Sequence, residues 1–180
     1  MSYKIINFLD RKEDYFLWDK MISKSSDHWF FSSFDFNYFH IEYLKEQNLF
    51  ADNKSFFIYE NDELVALVVL IFSKDTNSNL LNASYHESYP LPWPIISDEC
   101  KNRDHVYQLI FDEIHKRIKQ NKIGSIKFIL NSPVFSKKTE DEFIKILLNY
   151  NMIDNSYYSH FIELDDLTIN KIRGLISFIG

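Results

Sequence analysis

The stretch Leu64-Val65-Ala66-Leu67-Val68-Val69-Leu70-Ile71-Phe72 carries no polar side chain. A strand with one wet face alternates apolar and polar residues, whereas one buried on both faces reads as a continuous apolar run. The stretch is about half the roughly 20 residues that a membrane-spanning helix needs. It therefore predicts a central strand covered on both sides, which requires layers of other elements above and below it. Ser55-Phe56-Phe57-Ile58-Tyr59 precedes it across the turn Asn61-Asp62-Glu63, so the two runs predict a hairpin.

The rest of the chain supplies those layers. Seventeen Phe, 11 Tyr and 3 Trp stand against 3 Gly and 4 Pro, so large rings must be packed by regular elements. Tyr3 to Phe8 is a short β-prone run, and Asp10 is a candidate N-cap for the segment after it. Tyr15, Trp18, Met21 and Ile22 fall on one helical face there, and Ser23 to Asp27 ends that helix. A second helix is predicted from Ser33 to about Asn48, with Phe36, Phe39, Tyr43 and Leu44 as its apolar stripe.

Leu80 to Glu87 predicts a third successive strand after the polar turn Asp75 to Asn79. Arg103 to Lys122 is the clearest helix, with Val106, Leu109, Ile110, Ile114 and Ile118 inward. Gly124 is placed to follow its end as a cap residue. Ser125 to Leu130 predicts a strand, Lys138 to Tyr150 a helix and Tyr157 to Leu164 a last strand. The order β-α-α-β-β-β-α-β-α-β is that of an α/β (α+β) domain with a mixed central sheet, an antiparallel meander in its middle and helical crossovers later. Nothing in the composition divides residues 1–180 into separate domains.

Net charge is −6 with both signs interspersed, which disfavours DNA or RNA as a partner held by charge. The lone Cys100 has no internal thiol partner, so a reducing compartment, the cytoplasm, is expected, with no Cys-based metal site. The N-terminus lacks an apolar signal region, and no transmembrane segment is predicted. There is no GxSxG, P-loop, HExxH or dinucleotide fingerprint, and no histidine pair has metal-ligand spacing, so metal is assigned to no residue.

The element order resembles the GNAT fold over nearly the whole chain. Within that superfamily three stretches resemble the N-terminal half of FemAB-like transferases. They are His28-Trp29-Phe30-Phe31-Ser32-Ser33, the hairpin Phe56 to Phe72, and Tyr89-Pro90-Leu91-Pro92-Trp93-Pro94. The resemblance implies an N-acyltransferase that moves an acyl or aminoacyl group to an amino group of a cell-envelope or polysaccharide precursor. It implies no tightly bound cofactor, a donor that is either aminoacyl-tRNA or acyl-CoA, and a small-molecule or sugar acceptor. It also implies that residues 168–180 begin a second FemAB-like half, so that a partner chain supplying that half, or a homo-oligomer, completes the protein. A catalytically silent binding module that needs such a partner is the alternative.

One departure from the resemblance concerns the donor. GNAT enzymes that use acetyl-CoA carry a Gly-rich loop whose backbone N–H groups hold the pyrophosphate. No glycine lies between Glu87 and Arg103, and three of the four prolines do, which removes N–H donors.

The candidate chemistry gathers at His86 to Trp93. His86 or Glu87 would serve as general base towards an acceptor amine, although neighbours on a regular strand point to opposite faces, so only one of them can. Tyr89 and Trp93 offer flat surfaces for an acyl chain or sugar, or Trp93 fills core while the prolines end a strand. His28, Trp29 and Ser32 lie where the fold borders the acceptor, or Ser32 and Ser33 simply cap the helix.

Overall fold

The computed structural model describes residues 2–9, 11–26, 28, 30–74, 80–85, 89–129, 145–146, 148–150 and 152–153. Of the predicted helix Lys138 to Tyr150 only 145–146 and 148–150 are among them, helical at 145–146 and 148–149, and the predicted strand from Tyr157 and positions 168–180 lie outside. Met1–Ile146 forms one compact unit and Leu147–Gly180 a second, to which only the last five described residues belong. In the first unit the elements run β1 (Tyr3–Asn7), α1 (Lys12–Ser23), a 3-10 turn (Phe30–Ser32), α2 (Phe34–Glu46), β2 (Ala51–Asn53), β3 (Phe56–Glu60) and β4 (Glu63–Val68). They continue with β5 (Ile71–Lys74), β6 (Leu81–Ala83), β7 (Leu91–Pro92), β8 (Ile95–Ile96), α3 (Arg103–Asn121), β9 (Ser125–Ile126) and β10 (Phe128–Ile129). Among the described residues no helix is long and apolar enough to cross a membrane.

The apolar run is buried from Leu64 to Phe72, but it is two strands. β4 lies in a sheet of order β1-β3-β4-β8, and β5 in a sheet of order β2-β5-β6-β9. The hairpin partner β3 ends opposite Val68, so the backbone of Val69 and Leu70 would be left without a ladder in the core. Buried N–H and C=O groups must be paired. Ser55 Oγ accepts from Leu70 N at 3.0 Å and Lys54 N donates to Leu70 O at 2.7 Å, so both backbone groups of Leu70 are satisfied where the strand changes sheets.

The predicted strand from Leu80 to Glu87 is shorter, because β6 ends at Ala83 and the chain leaves the sheet at Ser84. It returns as β7 and β8, which were not foreseen. β8 pairs with β4 and β6 pairs with β5, so both belong beside the same long apolar run. The predicted strand at 125–130 is likewise two short ones: β9 runs parallel to β6 and β10 parallel to β7. Lys127 joins them, its N–H directed to Ala83 O at 3.4 Å and its carbonyl accepting from Leu91 N at 2.9 Å. Ala83 and Leu91, in different sheets, are thereby brought together through Lys127.

α1 begins at Arg11, whose amide donates to the Asp14 carboxylate at 3.4 Å while Leu9 N donates to it at 2.8 Å; Asp10 lies outside the described residues. Trp18 and Met21 are buried as the spacing predicts. In α2 the buried residues are Asn37, Ile41 and Leu44, while Phe39 and Tyr43 are exposed, so the predicted stripe is rotated. Asn37 fills an inward position because hydrogen bonds satisfy its amide, which a hydrophobicity pattern does not register. α3 buries Val106, Tyr107, Ile110, Phe111, Ile114 and Arg117. Its cap is Lys122 in the left-handed region (φ 54°), not Gly124, which has no such backbone and at which an added Cβ would meet only ordinary contacts.

Candidate functional site

The loop between β6 and β7 is fastened by one side chain. Tyr85 N donates to Tyr89 O at 2.9 Å, which closes the loop on itself. The Tyr85 ring, 1% exposed, turns away from the sheet towards α2, edge-on to Phe36 (5.4 Å between centroids) and to His40 (4.6 Å). Its hydroxyl donates to Asn37 Oδ1 at 2.5 Å, with Phe31 O also 3.2 Å away. Asn37 Nδ2 in turn donates to Phe31 O (3.0 Å) and Ser33 O (2.7 Å).

One buried amide thus ties the loop to the 3-10 turn and to the start of α2. Burial pushes the Tyr85 phenol far above its ordinary pKa, despite the hydrogen bond to Asn37, so it remains a neutral donor. Its hydrogen bonds position the chain where it leaves β6. β7 packs against the same 3-10 turn, whose Phe30 and Phe31 lie edge-on to Phe36.

The sequence-derived candidates separate around this cluster. His86 and Glu87, the general-base candidates, lie outside the described residues, as does Trp29. Tyr89 is 62% exposed at the base of the loop. Trp93 is 6% exposed and packs against Tyr107, Phe111 and Phe128, with its indole N–H 3.3 Å from the Tyr107 hydroxyl. Its ring is core and has no open face for an acyl chain or sugar.

Ser32 is buried and its carbonyl accepts from the Trp18 indole at 2.8 Å. The capping role falls to Ser33, whose Oγ accepts from Phe36 N at 3.3 Å. His28 Nδ1 lies 2.5 Å from Ser25 O, in a segment that Ser26 ties to Asp98. The structure therefore brings Ser32 and the Tyr89 loop into one neighbourhood, whereas Trp93 belongs to the α3 side. Asn37, His40 and Tyr85 were not singled out by the sequence; a polar Asn on the inward face of a helix was the available signal.

At the start of α3, Asp98 and Glu99 precede the first turn and Asp104 lies within it. Asp98 accepts from Ser26 N (2.9 Å) and Ser26 Oγ (3.1 Å), and Arg103 Nη1 is used on Ser97 O at 3.2 Å. Carboxylates already complement the positive end of this helix, and a pyrophosphate there would meet like charge.

The strand pattern can be set beside solved structures. The ribosomal-protein-alanine N-acetyltransferase of Brucella melitensis biovar Abortus 2308 superposes with a TM-score of 0.51 at 12% identity, over 91% of this chain and 100% of that one. The chain has a mixed α/β, GNAT-like fold. A GNAT family acetyltransferase of Staphylococcus aureus subsp. aureus USA300_TCH1516 gives 0.48 at 13% identity, over 91% of this chain and 99% of that one. An acetyltransferase of Clostridium acetobutylicum solved with acetyl-CoA gives 0.45 at 12% identity, over 92% of this chain and 96% of that one. The GNAT assignment rests on the first of these and concerns the fold alone. No family model and no curated protein matches the sequence.

Proposed function

We propose that this GNAT-fold chain is an N-acyltransferase of FemAB-like type, transferring an acyl or aminoacyl group to an amino group of a cell-envelope or polysaccharide precursor in the cytoplasm. The observation that carries the reading is the Ser84–Pro90 loop, which leaves the middle of the sheet and is held by Tyr85 against the turn Phe30–Ser32. In this reading the anchored Tyr85 sets where the chain leaves the sheet just before His86 and Glu87 in sequence. Tyr89 and the neighbourhood of His28, Trp29 and Ser32 border the acceptor in this reading. Trp93 supports the site from the core.

The reaction is attack of the acceptor amine on the donor's carbonyl carbon. The new C–N bond forms, the bond to the carrier breaks, and the amine proton passes to His86 or Glu87. Positioning and stabilisation of the oxyanion would supply most of the acceleration. The carboxylates at the start of α3 disfavour a donor phosphate at that helix end, so either donor, acyl-CoA or aminoacyl-tRNA, would be held elsewhere.

Transfer from aminoacyl-tRNA and from acyl-CoA to amino-sugar and peptide acceptors tests the reading. Loss of a proton-transfer group costs about 10²–10⁴-fold, so His86→Ala or Glu87→Gln should lower turnover by that order. Protein that transfers from neither donor and binds no acceptor would refute it.

The second reading is a catalytically silent module completed by another chain or a second copy. It is favoured by the short parallel pairings of β9 with β6 and of β10 with β7, bridged by Lys127, which tie together the strands between which a donor arm would enter. Residues 168–180 would then lead into the partner half. Activity that appears only on mixing with a separately expressed second half distinguishes this reading from the first.

A further inference from the structure

Two adjoining cavities of about 340 and 490 Å³ share Phe8, Leu9 and Asn53 as walls. Both volumes fall in the range of roughly 300–1,000 Å³ of small-molecule sites. The smaller has an aromatic end. Phe34 and Tyr38 stack there at 5.7 Å, the Phe8 ring lies against Trp18, and Tyr38 and Leu9 are exposed at the rim. The larger is polar and lies between the end of β1, residues 53–55 and the last turns of α3.

Every charged side chain around the two cavities already has a partner, although four cations share three carboxylates. Lys54 pairs with Asp52 at 2.9 Å and Lys45 with Glu42 at 2.7 Å. Glu113 accepts from Lys116 at 3.0 Å and from Arg117 Nε at 2.8 Å. The remaining arms of Arg117 donate to Lys54 O at 2.7 Å and Asn7 Oδ1 at 2.6 Å. A charged ligand would therefore have to compete with an existing ion pair for its partner.

The amides are only half used. Asn7 Oδ1 accepts from Arg117, Asn53 Oδ1 from Ser55 N at 3.0 Å, and Asn121 Nδ2 donates to Arg117 O at 2.9 Å. Among the described residues Asn7 Nδ2, Asn53 Nδ2 and Asn121 Oδ1 have no partner. The wall thus offers two uncharged donors and an uncharged acceptor, with Gln120 beside them. We propose that this trough binds a neutral, polyhydroxylated ligand that carries an apolar substituent, a sugar linked to an alkyl or aryl group. The hydroxyls meet the amides of the larger cavity, and the substituent lies against Phe34 and Tyr38. This assignment does not depend on acyl transfer.

Isothermal titration with three probes that share one tail tests it: hexyl β-glucoside, hexanoate and hexylamine. The neutral glucoside should bind at least tenfold more tightly than either charged probe. Leu9→Trp, which fills the junction, and Tyr38→Ala, which removes the platform, should each weaken it tenfold or more while circular dichroism and thermal midpoint show a folded protein. Both residues are exposed, so neither change disturbs the core. Equal affinity for the three probes, no binding of the glucoside, or unchanged binding in folded Leu9→Trp protein would overturn the proposal.

Discussion

Arg117 offers the sharpest test of how this domain is held together. It is buried on α3 beneath the sheet, and its guanidinium makes three hydrogen bonds, to Glu113, to Lys54 O and to Asn7 Oδ1, while Cζ stands 4.4 Å over the Phe56 ring. These contacts join α3 to the end of β1 and to the segment from which Ser55 repairs the break in the apolar run. Arg117→Met keeps most of the side-chain volume and removes every polar contact. A hydrogen bond to a charged group contributes about 1.5–3 kcal/mol, and removal of one member of a buried pair costs about 3–5 kcal/mol. Glu113 keeps Lys116, which moderates the loss, and the contributions are not additive. The expected destabilisation is therefore about 3–5 kcal/mol. For a chain of this size each kcal/mol is worth about 2–4 °C in midpoint, so a drop of roughly 6–20 °C is expected. Urea unfolding gives the free energy directly, and a cycle with Glu113→Gln isolates the ion pair from the other two bonds. An Arg117→Met protein within about 1 kcal/mol of the parent would refute the reasoning. It would mean that the guanidinium's desolvation cancels what its bonds contribute.

Other outcomes follow from single sites. Tyr85→Phe leaves the Asn37 carbonyl without its donor in the core, and should cost about 1–3 kcal/mol in chemical denaturation while also lowering any transfer activity. Lys122→Gly relieves a left-handed residue at the cap of α3 and should raise stability by about 0.5–1 kcal/mol, read from the urea midpoint. Burial raises the Cys100 thiol above its ordinary range, so native protein should react with a maleimide far more slowly than unfolded protein.

How much of this was legible in the sequence depended on whether apolar periodicity carried the information. The helices were readable because Trp18, Met21, Val106, Ile110 and Ile114 announce buried faces at helical spacing. The hairpin was readable from its turn, where Asn61 and Asp62 both take positive φ. What escaped was decided by polar groups. The division of Leu64–Phe72 between two sheets depends on the Ser55 hydroxyl, and the rotation of α2 on the Asn37 amide. The site was less legible than the fold for the same reason. Its candidate residues were chosen for their chemistry, whereas Tyr85, which fixes their loop, reads in sequence as one more apolar position of a strand.

The acid limit of stability brings these polar anchors together. Asp14 has its carboxylate buried and accepts from Leu9 N and from Arg11, main chain and side chain. Burial alone would raise its pKa, but these hydrogen bonds outweigh it and hold the carboxyl below its ordinary range. Burial likewise favours protonation of Glu113, and the hydrogen bonds and charges of Lys116 and Arg117 overcome it and hold this carboxyl below its ordinary range. A group whose pKa is depressed by folding contributes stability above its unfolded value and loses it as pH falls through the folded one. Stability should therefore hold down to about pH 5 and fall progressively below about pH 4. Asp14→Asn removes one of the two titrating anchors. The variant should be less stable than the parent at pH 7, by about 1–2 kcal/mol, and should converge on it as pH falls, because the parent's carboxyl is then neutral as well. Parallel unfolding curves from pH 7 to pH 3 measure the gap. A gap that stays constant, or widens towards acid, would show that Asp14 acts through packing and not through its charge.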